Sequence, residues 1–179
     1  MSRGADPNYK DLRAEPPDHA LGRSRGGLST KIHQLVDGQG RPLVVAVTPG
    51  QAGDSPMLKP LLAHLAVQRL GPGRPRTRPA AVIADKAYSS REIRSLLRSK
   101  RVKAVIPQPA DQVGHRRRRG SRGGRPPLFD PATYKERNVI ERSFNHHKQW
   151  RGLATRYDKL ATVYRGGIVL RAITLWLRQ

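Results

Sequence analysis

Cysteine is absent from the 179 residues, which excludes disulfides, thiolate chemistry and every cysteine-based zinc site and agrees with a reducing compartment. Aromatic residues reach only 5% and hydrophobic residues 36%, so the expected architecture is one modest core with long polar segments. No stretch approaches the ~20 apolar residues of a membrane span. Met1 to Pro17 carries charges and no apolar run, which excludes a secretory signal there. Acidic residues are scarce as well, 13 against 35 Lys and Arg, and the net charge is +22. A polyanionic partner follows from that imbalance. Membrane surfaces, which call for basic amphipathic helices, and ribosomal RNA, which calls for basic tails on small domains, are not excluded by charge alone.

What is present falls into an ordered series of segments. Residues 1–27 show no hydrophobic period and are expected to be irregular, with nothing resembling a core strand. Leu28 to Val36 and Leu43 to Val47, separated by Asp37-Gly38-Gln39-Gly40, predict a hairpin. Asp54 or Ser55 can cap a helix opened by Pro56 and running through Leu58, Leu61, Leu62 and Leu65 to about Leu70. The Gly- and Pro-rich run 71–79 is a basic linker. Ala80 to Ala84 and Val102 to Ile106 predict short strands around a helix opened by a Ser89/Glu92 capping box, a βαβ unit with parallel strands. Residues 111–127 have the composition of a second basic linker, disordered without a partner. Asp130 as N-cap with Pro131 at N1 opens a helix to about Trp150, and Asp158 opens a last one through Leu160, Val163, Tyr164, Ile168, Ile173 and Trp176. Trp150 and Trp176 are expected in the core.

The sharpest chemical pattern lies in the Asp130 helix. At ~100° per residue, Tyr134, Arg137, Glu141 and Lys148 fall within about 60° of one another. Ile140 and Phe144 flank that face, which would put Glu141 at the margin of the core among basic groups, a setting suited to a carboxylate that binds metal and meets phosphate. A solvated face with ordinary i,i+3 and i,i+4 pairs accounts for the same residue types. Asp85 follows an apolar strand and precedes a helix, where open α/β sheets place functional groups, although a simple turn aspartate fits that position equally well. Arg74 and Arg76 in the first linker, and Arg117 and Arg118 in the second, are spaced among Gly and Pro as in segments that follow a nucleic-acid backbone. His146 and His147 make a poor metal site as a bare pair and are expected to serve in packing or phosphate contacts.

Tyr134, Arg137, Glu141 and Lys148 resemble, spacing for spacing, the Y-(2)-R-(3)-E-(6)-K signature of bacterial insertion-sequence DDE transposases. Thr48-Pro49-Gly50 with Asp54, and Asp85-Lys86-Ala87-Tyr88, resemble that family's other two landmarks in the correct order. The resemblance runs from about Gly22 to Arg178. It implies an α/β, RNase H-like mixed sheet with flanking helices in residues 22–179, after an irregular segment 1–21. It implies DNA transposition, with transposon terminal repeats and target DNA as partners and a location in the cytoplasm at the nucleoid. Asp85 and Glu141 would be catalytic, metal-binding carboxylates serving two Mg²⁺ ions, with Mn²⁺ as a substitute. Tyr134, Arg137, Lys148, Lys86 and Tyr88 would contact DNA.

The family's fold begins with a central strand that carries the first catalytic aspartate. Upstream of residue 22 the aspartates are Asp6, Asp11 and Asp18, each flanked by polar residues or proline, so none takes that role. The expectation is therefore a domain without its first strand, from a truncated gene or from the second of two frames. Its unpaired strand edges would promote self-association. The alternative function is a non-catalytic basic protein that binds DNA or RNA.

Overall fold

The computed structural model describes residues 11–178, and the chain divides into two compact units, residues 1–77 with 139–179 and residues 78–138. The class is α/β: a three-stranded antiparallel sheet in the first unit, and a two-stranded parallel sheet in the second, with helices in both.

The first unit is built on β1 (Gly22–Ser24), β2 (Gly27–Val36) and β3 (Pro42–Pro49), paired in that order. The β2–β3 hairpin is the one the sequence predicts. Its turn is closed by the Asp37 carboxylate, which accepts from the N–H groups of Gln39 and Arg41 at 2.9 Å each, while Gly40 takes φ +83°. β3 is a near-continuous apolar run because both sheet faces are covered. Val44 and Ala46 pack on Leu12, Met57, Leu61 and Leu65, whereas Val45 packs on Leu153, Tyr164 and Ile168.

Three expectations need correcting in this unit. Arg23 and its neighbours are not irregular: Gly27, at φ +103°, lets β1 fold back on β2 in register Gly22↔Ser29. The segment before β1 contributes Leu12 and Ala20 to the buried residues. The helix α1 (Leu58–Ala63) stops well before Leu70, because Val67 instead exchanges backbone hydrogen bonds of 2.9 and 2.8 Å with Arg76. Asp54 holds the N-cap position of the 3-10 turn Ser55–Met57 that leads into α1, but its side chain makes no capping bond.

The two tryptophans are also less buried than expected. Trp150 is 38% exposed beneath the Arg171 guanidinium, and Trp176 is half-buried, its indole N–H donating to Pro42 O at 2.9 Å. The final helices are α5 (Asn138–Lys148), α6 (Arg151–Ala154) and α7 (Ala161–Leu177). α7 does not begin with an Asp158 cap; its N-cap is Leu160, which has no polar side chain. The orphan N–H groups of its first turn go to Glu15, whose carboxylate accepts from Ala161 N at 2.9 Å and from Thr162 N and Oγ1 at 2.8 and 2.7 Å.

In the second unit β4 (Ala81–Ile83) pairs in parallel with β5 (Lys103–Val105) through α2 (Arg91–Ser99), the βαβ arrangement predicted from spacing. Val82, Ile93, Leu97, Val102, Val105 and Ile106 are its buried apolar residues. The helix cap is Ser90, accepting from Ile93 N at 3.1 Å, one residue later than expected. Ser89 is buried and turned inward, donating to Gln112 Oε1 at 3.0 Å and accepting from Arg94 Nη2 at 2.9 Å.

The stretch after β5 is not a disordered linker: Ala110–Arg118 forms α3, followed by a 3-10 turn at Gly120–Gly123. No residue of α3 is buried. It is held by Gln112, whose Nε2 also donates to Ser89 O at 2.9 Å, and by a bond from Arg116 to the Gln108 amide. Its last turn, His115 to Arg118, places cations where the helix dipole favours them. Composition suggested disorder because α3 has no apolar face; Ala, Gln and Arg nonetheless favour helix.

Candidate nucleic-acid interface and catalytic carboxylates

Asp85 sits two residues beyond the carboxyl end of β4 and caps a 3-10 turn, Lys86–Tyr88, its Oδ1 accepting from Ala87 N at 2.9 Å. Asp85 and Lys86 are exposed and Tyr88 is half-buried. In the same unit α4 (Pro131–Tyr134) opens on Asp130, whose carboxylate accepts from Ala132 N and Thr133 N at 3.1 Å each and from Thr133 Oγ1 at 2.6 Å. The Thr133 hydroxyl and N–H, with the Lys103 ammonium at 3.0 Å, hold Asp130 well below the usual carboxylate range. β5 is thereby tied to the start of the signature helix.

That helix is not uniform. Lys135–Arg137 forms a 3-10 turn between α4 and α5, and at ~120° per residue instead of ~100° it rotates Tyr134 by about 60° from its place on an ideal wheel. Tyr134 and Arg137 meet as a cation–π pair at 5.7 Å, with Phe129 packed on the Tyr134 ring at 5.3 Å. Glu141 and Lys148, seven residues apart, share an exposed face of α5. Glu141 is thus on the exposed side, away from the core margin; Ser143 and His147 are the buried residues of α5. Tyr134 and Arg137 belong to the second unit, Glu141 and Lys148 to the first.

His147 serves packing: its Nε2 lies 3.1 Å from Gln34 Oε1, and burial, reinforced by Arg171 and His146, lowers its pKa to about 4, so it is neutral. His146 is exposed, and its carbonyl accepts from Arg171 Nε at 3.0 Å. Arg171 also donates to Gln149 Oε1 at 3.1 Å, anchoring the carboxyl end of α5 on α7. These two partners lie more than twenty residues upstream, where no local spacing marks them, while Arg171 Nη1 also donates to Thr174 Oγ1 at 3.1 Å.

The Thr48-Pro49-Gly50 landmark is structural. Buried His33 places Nε2 2.7 Å from Thr48 Oγ1 and Nδ1 3.6 Å from Asp54 Oδ1, and Lys31 Nζ lies 3.3 Å from the same oxygen. Burial lowers His33 to about 4, against the attraction of Asp54. A Cβ on Gly50 would come within 1.9 Å of Ser29 Oγ and 3.1 Å of Ser29 O, so glycine leaves room for the close approach of β2 there. Sequence reasoning passed over His33; its alternation with Lys31 and Leu35 on one strand face was the available signal.

Arg74 and Arg76 are exposed in the loop of the first unit; Arg117 and Arg118 are exposed at the end of α3 in the second. Residues 78–138 contain 16 Lys and Arg against 5 Asp and Glu, half the net charge of the chain in a third of its length. So dense a net positive charge is the electrostatic character that a polyanion favours. Metal binding is another matter. Asp85 and Glu141 are the hard oxygen donors a divalent cation prefers. Among the described residues, however, no group of three or more His, Asp or Glu could hold an ion. Asp11 and Asp18 cap local turns at Arg13 N and Ala20 N, and Asp6 lies outside the described residues. The described carboxylates do not make a complete metal site. Among the described residues no helix is long and apolar enough to cross a membrane.

Residues 9–177 match the family described as Transposase DDE domain. The chain is 35% identical over 151 residues to the putative transposase for insertion sequence element IS6501 of Brucella ovis, an alignment covering 84% of this chain and 100% of that protein. It is 30% identical over 142 residues to the putative transposase for insertion sequence element IS402 of Burkholderia cepacia, covering 79% of this chain and 59% of that protein. No solved structure matches it.

Proposed function

The chain belongs to the family of insertion-sequence DDE transposases, and from that premise we propose that it acts in DNA transposition by binding transposon-end DNA, with Asp85 and Glu141 as carboxylates of the strand-transfer centre. The observation that carries this reading is the family match over residues 9–177, which includes both carboxylates and the signature residues around Glu141. The chain's own residues have distinct tasks. Arg137, with its planar fork backed by the Tyr134 ring, suits bidentate contact with a phosphate, and Lys148 supplies a point charge beside Glu141. Lys86, Tyr88, Arg74, Arg76, Arg117 and Arg118 extend the phosphate contacts along the backbone. The family's reaction uses divalent metal, Mg²⁺ by preference and Mn²⁺ as a substitute, and a third ligand beyond Asp85 and Glu141 is required to complete such a site.

A second reading is a basic DNA-binding protein without catalysis, favoured by the lack of any three-ligand group among the described residues. Incubating the chain with labelled terminal-repeat DNA and Mg²⁺, with and without a segment that supplies the first catalytic aspartate, separates the two. Under the enzymatic reading, nicking is seen once that third ligand is supplied and is abolished by Asp85→Asn or Glu141→Gln while DNA affinity changes less than about threefold, because carboxylates hold metal and cations hold phosphate. Binding without any nicking even with that segment present establishes the second reading. Nicking that survives either substitution removes that residue from the centre.

A further inference from the structure

The turn that carries Asp85 and the basic helix α3, both within residues 78–138, meet at one buried hydroxyl. Ser89, 3% exposed, closes the 3-10 turn Lys86–Tyr88 with its N–H on Lys86 O at 3.1 Å. Its Oγ accepts from Arg94 Nη2 at 2.9 Å and donates to Gln112 Oε1 at 3.0 Å, while Gln112 Nε2 donates to Ser89 O at 2.9 Å. The same Arg94 Nη2 donates to Ile106 O at 2.8 Å, just past the end of β5.

The direction of each bond is dictated by its neighbours. A guanidinium only donates, so the single hydroxyl proton of Ser89 is left for Gln112. A carbonyl only accepts, so the Gln112 amide turns its NH₂ toward Ser89 O. Both ends of the amide thus hold one residue, and the ring they close has one arrangement. α3 has little else to fix it. None of its residues is buried, and Arg116 binds Gln108, just before the helix begins. Gln112 lies in the first turn of α3, and Arg117 and Arg118 follow about 8 Å further along the axis. A helix attached near one end by one side chain takes its direction from that attachment.

We propose that Gln112 is a positioning residue that joins α3 and the Asp85 turn into one cooperative unit, so that fixing the cations of α3 on a polyanion also orders the turn that presents Asp85. The coupling is reciprocal, since whatever orders the turn favours the fixed state of α3 by the same free energy. The use made of Asp85 rests on the reading above, but the clamp is tested without metal or catalysis.

Residue-resolved amide exchange of the full chain reads both sides of the clamp. Ala87, Tyr88 and Ser89 report the turn, through their bonds to Asp85 Oδ1, Asp85 O and Lys86 O. Gln112→Ala removes both clamp bonds, and alanine favours helix more than glutamine, so intrinsic propensity works against any loosening of α3. Exchange should quicken about tenfold in α3 and in the turn alike, the ratio expected for one or two hydrogen bonds, with β4 and β5 unchanged. Ser89→Ala, made in the turn, should loosen α3, and at α3 the double variant should match Gln112→Ala within about twofold. Duplex DNA then supplies the polyanion. Exchange over 115–118 should slow in both chains, whereas the slowing at Ala87, Tyr88 and Ser89 should be at least about threefold smaller in Gln112→Ala. A turn untouched by Gln112→Ala in the free chain overturns the proposal, as do additive effects of the two substitutions. Equal slowing of the turn by DNA in both chains overturns it too, because the turn would then meet DNA unaided. Absence of DNA binding by anisotropy contradicts the DNA-binding reading instead, and the free-chain comparison still decides the clamp.

Discussion

The two units use opposite means to order their residues. Residues 11–77 with 139–178 enclose a sheet covered on both faces and depend on polar clamps between distant residues: Glu15 on the start of α7, Arg156 on Ala20 O and Thr30 Oγ1, Arg171 on His146 O. Residues 78–138 have a small core, twice the density of net positive charge, and mainly local bonds such as Ser90 to Ile93 N and Asp130 to Thr133. The lesson is a division of labour. Long-range packing supports the first unit, and the second spends its sequence on cations that local caps and turns hold in place.

The largest break in this comparison should come from the core. Ile168 is fully buried against β3, and Ile168→Ala should cost about 2–5 kcal/mol through reduced burial and the cavity left behind. Hydrogen exchange should show diminished protection in 11–77 and 139–178 and retained protection in 78–138. An equal decrease in both would show that the units do not differ in this way.

The pH response separates them next. His33 and His147, both in the first unit, have folded pKa values lowered to about 4 by burial, below the usual value of 6.5. The unfolded chain therefore binds more protons between these values. The associated stability is complete above about pH 6.5 and falls as pH drops toward 4, by on the order of a few kcal/mol in total. His33→Gln with His147→Gln should flatten the slope of stability against pH in that window, as measured by urea unfolding at a series of pH values. An unchanged slope would contradict the neutral, buried state of these rings.

Glu15 sharpens the contrast between distant and local capping. Burial opposes its ionisation, but the bonds from Thr162, Ala161 and His19 outweigh it and lower its pKa to about 2. Its contribution is present above about pH 4.5 and is lost as pH falls through 2. Glu15→Ala should destabilise the first unit by about 1–2 kcal/mol, the usual range for removal of an N-cap. A drop in hydrogen-exchange protection confined to peptides spanning 161–177 would locate the effect, and no change in stability would remove Glu15 as the cap.

How much could be read beforehand follows the same division. The β2–β3 hairpin, the parallel pair around α2 and the Asp130 cap were legible because each is written in adjacent residues: Asp37 before Gly40, apolar runs at βαβ spacing, Asp130 before Pro131. The α7 cap was not, because Glu15 lies 146 residues from Ala161. α3 escaped because its support is a pair of side-chain bonds from Gln112 and Arg116 and no apolar stripe. At the candidate site, Asp85 at the end of β4 and the Glu141–Lys148 face were foreseen. The 3-10 turn at 135–137 was not, since an ideal helical wheel assumes one uniform rotation per residue.

The smallest stability effect belongs to the basic surface. Arg117→Gln with Arg118→Gln, both exposed, should leave unfolding unchanged within about 0.5 kcal/mol. The same pair should reduce the salt slope of DNA binding by about 1 for each phosphate that these arginines neutralise. A changed stability with an unchanged slope would make these arginines structural.

The central claim, that this chain holds DNA chiefly by cations on phosphate, is tested most directly by fluorescence anisotropy of labelled terminal-repeat duplex across a range of salt. The prediction is a linear fall of log affinity with log salt, amounting to roughly 10³-fold or more between about 50 and 200 mM if six or more phosphates are engaged. Affinity that stays constant over that range would contradict the account.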